Sequence, residues 1–165
     1  MQPEDLPPRT RRNENTVLRS SCPIGYTLEM VGDSWSLLIV RDIVYFGKET
    51  FGEFRTSGEG IARNILSNRL ARLVEQGILT GRPHRDDGRK DLYELTETGL
   101  DLIPILLAMA EWGATHFAES DAPPEWIQLV RSRRDEMTAL ICDTVRGGPT
   151  CQGWVRPEAN SKSAV

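Results

Sequence analysis

One stretch of the chain carries side chains suited to reading the edges of bases. Asn64, Ser67, Asn68, Ala71, Arg72 and Glu75 recur at intervals of three, one, three, one and three, so on a helix they share a single face. An Asn amide can bond N6 and N7 of adenine together, Arg grips O6 and N7 of guanine, and Ser suits several edges. Arg63 stands at the margin of this face in the first turn, the part of a recognition helix that reaches the floor of a major groove. Arg63, Asn64, Ser67 and Asn68 are therefore candidates for base contact. Arg69 and Arg72 are candidates for phosphate contact, Arg69 from within the apolar arc, with its stem packed and its guanidinium reaching out. The competing reading is a polar face that meets only water, although such faces are usually richer in Lys and Glu.

Other chemistry finds little support. His84 and His116 are the only histidines, and neither stands in a recognisable constellation with Ser, Cys or Asp. Glycines occur as GEG and GG and never as a phosphate-cradling loop followed by Lys and Ser or Thr. Cys22, Cys142 and Cys151 are too few and too scattered for a disulfide framework or a four-thiolate zinc site. The expectation is a protein that is not an enzyme and uses neither metal nor cofactor. No apolar run is long enough to span a bilayer, and the first residues lack the apolar core of a secretory signal. A cytoplasmic location away from membranes follows as the default.

Net charge is −4 and the isoelectric point about 5.3, which at first argues against a nucleic-acid partner. Distribution matters more than the sum. Between residues 61 and 90, seven basic side chains face three acidic ones, an excess of +4. Extending that window to Asp91 and Glu94 halves the excess, so the basic surplus is local and modest.

The elements that must position this surface can be read from periodicity and punctuation. Residues 1–20 hold prolines and charges without apolar period and read as a flexible arm. Cys22-Pro23 opens a short helix through Ile24, Leu28 and Val31, and Asp33 is a plausible N-cap for a second, SWSLLIVRDIVYF, closed by Gly47. The second is apolar almost all round and belongs at the centre of a core. A short helix over FGEFRTS and a longer one from Ile61 to Gln76, joined through Gly58-Glu59-Gly60, form a helix-turn-helix pattern, with Gly77 as the closing cap. Ile78-Leu79-Thr80 and Leu92 to Leu95 then flank an Asp-Gly pair, the signature of a β-hairpin. Thr96 is expected to cap one helix from Glu97 to about Phe117, kinked or short of one backbone hydrogen bond at Pro104, and a last helix is expected from Glu125 to Val145. Residues 147–165 lack any period and read as a disordered tail.

A basic hairpin directly after a helix-turn-helix strengthens the case for DNA. Arg85, Arg89 and Lys90 near its tip would add sequence-independent attraction to phosphates, while Asp86 and Asp87 oppose it and serve the turn beside Gly88.

In this order the elements resemble the HxlR-type winged helix-turn-helix transcription regulators of bacteria. The resemblance rests on Cys22-Pro23, Gly32-Asp33-Ser34-Trp35 leading into LLIVRDI, Phe51-Gly-Glu-Phe-Arg55 and Gly60-Ile-Ala. It continues through Leu66-Ser67-Asn68-Arg69-Leu70, Leu73-Val-Glu-Gln-Gly77-Ile78-Leu79, Tyr93-Glu-Leu-Thr96, Gly99, Pro104 and Trp112-Gly113, covering roughly residues 22–117. It implies an α+β, mostly helical winged helix-turn-helix fold, with a three-helix core, a β-hairpin wing and C-terminal dimerisation helices. The implied domains are a DNA-binding domain over 21–118 and a helical extension over 119–146. The implied function is a homodimeric DNA-binding regulator, read here as a repressor. It would place residues 61–76 in the major groove of an inverted-repeat operator and its wing, about 80–92, on backbone or minor groove. Dimers in this family form through the terminal helices, here the segment after Cys22 and the helices from 97 onward. Ser34 stands where the family often has Lys, which removes one phosphate contact, and the extension past residue 120 is longer than usual.

Some members sense oxidants or electrophiles through a cysteine in the Cys-Pro context, which makes Cys22 a candidate redox sensor, with Cys142 and Cys151 as partners for it. Apolar neighbours such as Ile24 favour the alternative, a packed and inert thiol. Two further alternatives stand beside these. One is a repressor gated by a small molecule, with an apolar pocket at the dimer seam near Trp35, Trp112 and Phe117. The other is a winged-helix module whose surface meets a protein.

Overall fold

A proline at the first helical position and an extended Cys22 ahead of it start helix α1, Pro23–Val31, which ends at Gly32. The computed structural model describes residues 21–84 and 91–147. The chain forms two compact units, Met1–Gly32 and Asp33–Val165, and α1 is the described part of the first. The expected arm over 1–20, the wing tip with Arg85, Arg89 and Lys90, and the tail beyond Gly147 lie outside the described residues.

The second unit is built on α2, Ser36–Phe46, whose Ile39, Val40, Ile43 and Val44 are buried. The N-cap of α2 is Trp35 and not the expected Asp33, which instead binds the turn that leads into the helix. Oδ1 accepts from the Trp35 and Ser36 amides at 2.9 and 3.1 Å, and the Ser36 hydroxyl donates to Oδ2 at 2.5 Å. Helix α3, Phe51–Arg55, starts from a capping box between Thr50 and Glu53. Helix α4, Arg63–Glu75, follows after the turn and buries Leu66, Leu70 and Leu73. Phe54 and Ile61 are buried with them. Gly77 adopts a left-handed φ of 69°, the conformation needed to turn the chain out of α4 into the wing.

Strands β1, Leu79–Pro83, and β2, Asp91–Leu95, pair antiparallel, with Leu79 opposite Leu95 and Pro83 opposite Asp91. Both are edges of a two-stranded sheet, which is why Pro83 is tolerated. The loop before α3 adds to β2: the Tyr93 amide donates to the Glu49 carbonyl at 2.7 Å. Thr96 fastens the root of the wing, since its hydroxyl donates to the Gly77 carbonyl at 2.6 Å and accepts from the Gly99 amide at 3.1 Å.

Two helices expected as single pieces are each broken. The span after Thr96 forms α5, Glu97–Leu100, and α6, Ile103–His116. Pro104 lacks an amide and crowds the preceding turn, so it sits in the first turn of a new helix and does not kink a continuous one. The last span forms α7, Pro124–Ser132, and α8, Arg134–Arg146, broken at Arg133 with φ −138° and ψ 41°. The break lets Ile127 and Val130 of α7 and Met137 and Ile141 of α8 all be buried, where one straight helix would spread them along a line. Both helices pack against α6 of the same chain. Glu111 of α6 accepts from Arg131 Nε at 2.8 Å and pairs with Arg134. Among the described residues no helix is long and apolar enough to cross a membrane.

Gly99 marks the tightest approach between α5 and the wing root, because a Cβ built there lies 2.3 Å from the Ile78 carbonyl oxygen. Gly99→Ala is expected to lower the unfolding free energy by about 1–3 kcal/mol, as overpacking against backbone does. Urea unfolding of the two proteins checks this, and equal midpoints would contradict the packing described.

Candidate nucleic-acid interface

Helix α4 is held by its inner face and presents its outer one. Arg63, Asn64, Ser67, Asn68, Ala71 and Glu75 are exposed, and Arg72 is half-buried. Ala62 and Val74 are exposed at the two ends of α4, and Ile61 is buried just ahead of it. No side chain caps the start of α4 and no acid occupies its first turn. The positive end of the helix dipole thus meets no capping side chain and no acid of its own first turn beside Arg63 and Asn64.

Two contacts fix the cations at the edge of this face. The Arg63 guanidinium lies over the Phe51 ring of α3, 5.6 Å from its centroid, which orients it without consuming its hydrogen-bond donors. Arg69 turns the other way. Its Nε lies 3.1 Å from Asp33 Oδ1, an ion pair without hydrogen-bond alignment, so Arg69 ties α4 to the start of α2 as well as lying near the surface. Burial works to raise the Asp33 pKa, but the Ser36 hydroxyl, the two amides and Arg69 together hold it below the ordinary carboxylate range.

The turn between α3 and α4 is fixed by a residue the site reading missed. The Asp42 side chain, 3% exposed, accepts from Lys48 Nζ at 2.8 Å and from the Ser57 hydroxyl through Oδ2. Through Oδ1 it accepts from Arg41 at 3.0 and 2.5 Å. Lys48 also donates to Ser57 at 2.7 Å. Arg41 reaches on to Glu59 with two further bonds of 2.5 and 3.1 Å. The chain of contacts therefore runs from α2 to Ser57 and Glu59, the turn that aims α4. A charged residue inside the apolar run of α2 is the sequence signal that could have revealed it, since a buried carboxylate demands partners.

On the wing, Arg82 of β1 donates to Glu94 of β2 at 3.1 and 2.5 Å. Cys22 is exposed at the head of α1. Cys142 is half-buried. Within the single chain the three aromatic residues weighed for a ligand pocket do not line one common cavity. Trp35 lines a void of about 10 Å³, Trp112 lines a separate open groove of about 510 Å³ on α6, and Phe117 lines neither. Among the described residues no group of His, Cys, Asp and Glu is placed to hold a metal.

Comparison with known proteins agrees with this geometry. The family model for HxlR-like helix-turn-helix proteins matches residues 30–121. An uncharacterised HTH-type transcriptional regulator of Mycobacterium tuberculosis is 38% identical over 101 residues, which is 61% of this chain and 63% of that protein. The match thus spans less than two thirds of that relative's length. YybR, an uncharacterised HTH-type transcriptional regulator of Bacillus subtilis, is 33% identical over 59% of this chain and 78% of its own. Among solved structures, the candidate transcription factor PA1607 superposes with a TM-score of 0.56 at 42% identity, over 64% of this chain and 72% of that one. The redox regulator HypR in its oxidized form gives 0.52 at 32% identity, over 58% and 97%.

The Arg41 bond, with Arg41 and Lys48 charge beside it, depresses the Glu59 pKa from 4.5 to about 2 despite partial burial. A carboxylate with a lowered folded-state pKa contributes stability above its unfolded value, and that contribution is lost on acidification. Stability is therefore expected to fall between pH 4.5 and about 2, and Glu59→Gln should flatten this part of the profile. Thermal unfolding across the window checks it. An unchanged slope in the variant would show that the pair is not formed in solution.

Proposed function

We propose, for a chain that belongs to the HxlR-like helix-turn-helix family, that it is a sequence-specific DNA-binding transcription regulator acting as a homodimer on an inverted repeat. The observation that carries this is the outer face of α4: amides and a hydroxyl at Asn64, Ser67 and Asn68, exposed beside an oriented Arg63 and matching what base edges offer in a major groove. In this reading Arg63, Asn64, Ser67 and Asn68 contact bases. Arg72, Arg85, Arg89 and Lys90 contact phosphates, and Arg69 does so only on leaving Asp33. Residues 21–118 form the DNA-binding domain and 119–146 an extension that braces α6. Two-fold pairing sets half-sites about one helical turn or a multiple apart.

Support for pairing comes from apolar side chains left open. On α6, Met109, Trp112 and, at its end, Phe117 are 51%, 69% and 58% exposed. On α1, Ile24 and Leu28 are likewise exposed. Exposed apolar patches of this kind mark association sites. The chain is read as a cytoplasmic regulator, not an enzyme.

A thiol-switch version is favoured by one observation, the exposure of Cys22 beside Pro23, with the likeness to a protein described as a redox regulator in support. Operator affinity of Cys22→Ser before and after mild peroxide or quinone treatment tests it. Equal loss in both proteins would end this version.

Fluorescence anisotropy with the intergenic region upstream of the gene, and with random duplex, tests the main reading. Asn68→Ala is expected to cost about 1–3 kcal/mol at the cognate site and to relax specificity there. Lys90→Ala is expected to weaken all sequences alike and to make the salt dependence shallower. If both variants behaved identically on cognate and random DNA, the division between reading and anchoring residues would be wrong.

A further inference from the structure

Away from α4, a cavity of about 300 Å³ opens between the end of α2, the loop that follows it, β2, α5 and the end of α8. This volume lies at the lower end of what small-molecule sites occupy. Ile43, Leu95, Leu100 and Val145 give it hydrocarbon walls, and the Tyr93 ring adds an aromatic one. Three carboxylates from three different elements line the same space: Glu49 in the loop, Glu94 on β2 and Glu97 on α5.

Their charge is not balanced among the described residues. Glu94 is held by Arg82. Glu97 accepts from Arg146 of α8 at 3.1 and 2.7 Å. Glu49 has no guanidinium of its own in this set. Burial, then Glu94 and Glu53, raise its pKa above the ordinary value, with Arg82 and His84 acting against them. Three carboxylates thus meet two guanidiniums beside apolar walls. That combination suits one added positive charge carried on a hydrocarbon body.

We infer that this cavity binds a small organic monocation, an amine whose ammonium sits between Glu49 and Glu94 and whose apolar part lies against Ile43, Leu100 and Val145. An anion is disfavoured by the carboxylates, and a hydrated inorganic cation would leave the hydrocarbon walls unused. Because Glu94 is also the partner of Arg82 on β1, an ammonium there competes with a wing arginine. Occupancy would therefore alter the charge at the wing root. This coupling rests on the DNA-binding reading above, whereas the binding site itself does not.

Isothermal titration calorimetry on the full-length protein tests the site directly, with benzylamine and hexylamine as probes and benzyl alcohol and hexanol as neutral controls. Both amines are expected to bind, the alcohols not to bind, and Glu49→Gln to weaken amine binding by about tenfold or more. Absence of amine binding at millimolar concentration, equal binding of the alcohols, or undiminished binding by the variant would each overturn the assignment. The coupling is read separately on an operator the protein is known to bind. Benzylamine is expected to change wild-type affinity severalfold and to leave Glu49→Gln unaffected, and an unchanged wild-type affinity would overturn the coupling. Failure to bind any duplex would count against the regulator reading and leave the calorimetric result standing.

Discussion

A carboxylate taken out of water inside a small protein is costly unless its oxygens are fully used, and Asp42 is such a group. Its two oxygens are spent on Arg41, Lys48 and Ser57, and Arg41 extends the set to Glu59. The partners come from α2, the loop after it and the turn ahead of α4, which apolar packing alone would leave free to slide. Hydrophobic contact is non-directional. It brings α4 against the core through Leu66, Leu70 and Leu73, but the bonds around Asp42 set where the turn must sit and hence where the first turns of α4 point.

Electrostatics on the outer surface follow a consistent division. Cations near the framework are paired within the fold: Arg69 with Asp33, Arg82 with Glu94, Arg131 and Arg134 with a shared Glu111, Arg146 with Glu97. Arg63 is treated differently, steered by an aromatic face that leaves its donors open. An acidic protein can in this way keep a locally basic, hydrogen-bonding face, and net charge is a poor guide to its partner.

Much of this was legible in the residues. The period of α4, the glycine after it, the Asp-Gly pair between the two short apolar runs of the wing and the capping chemistry of Thr96 all state their elements locally, and the polar face of α4 follows from spacing alone. The breaks at 101–102 and at Arg133 were not legible, because an amphipathic period continues through both and only the packing of α7 and α8 back onto α6 decides between one helix and two. Pro104 was correctly seen as a disturbance and wrongly placed inside a helix, since proline tolerates a first turn as well as a kink. The partners of Asp42 and the Phe51 ring beneath Arg63 are tertiary facts. Sequence could show only that a charge in an apolar helix must be answered by something.

The central claim is that α4, aimed by the Asp42 contacts, is the surface that meets the duplex. Titrating the isotope-labelled protein with its operator while following backbone amide shifts tests this most directly. The account predicts the largest changes at Asn64, Ser67 and Asn68, smaller ones on the wing, and none along α7. Shifts concentrated on α7 or α8, with α4 unmoved at saturation, would contradict it.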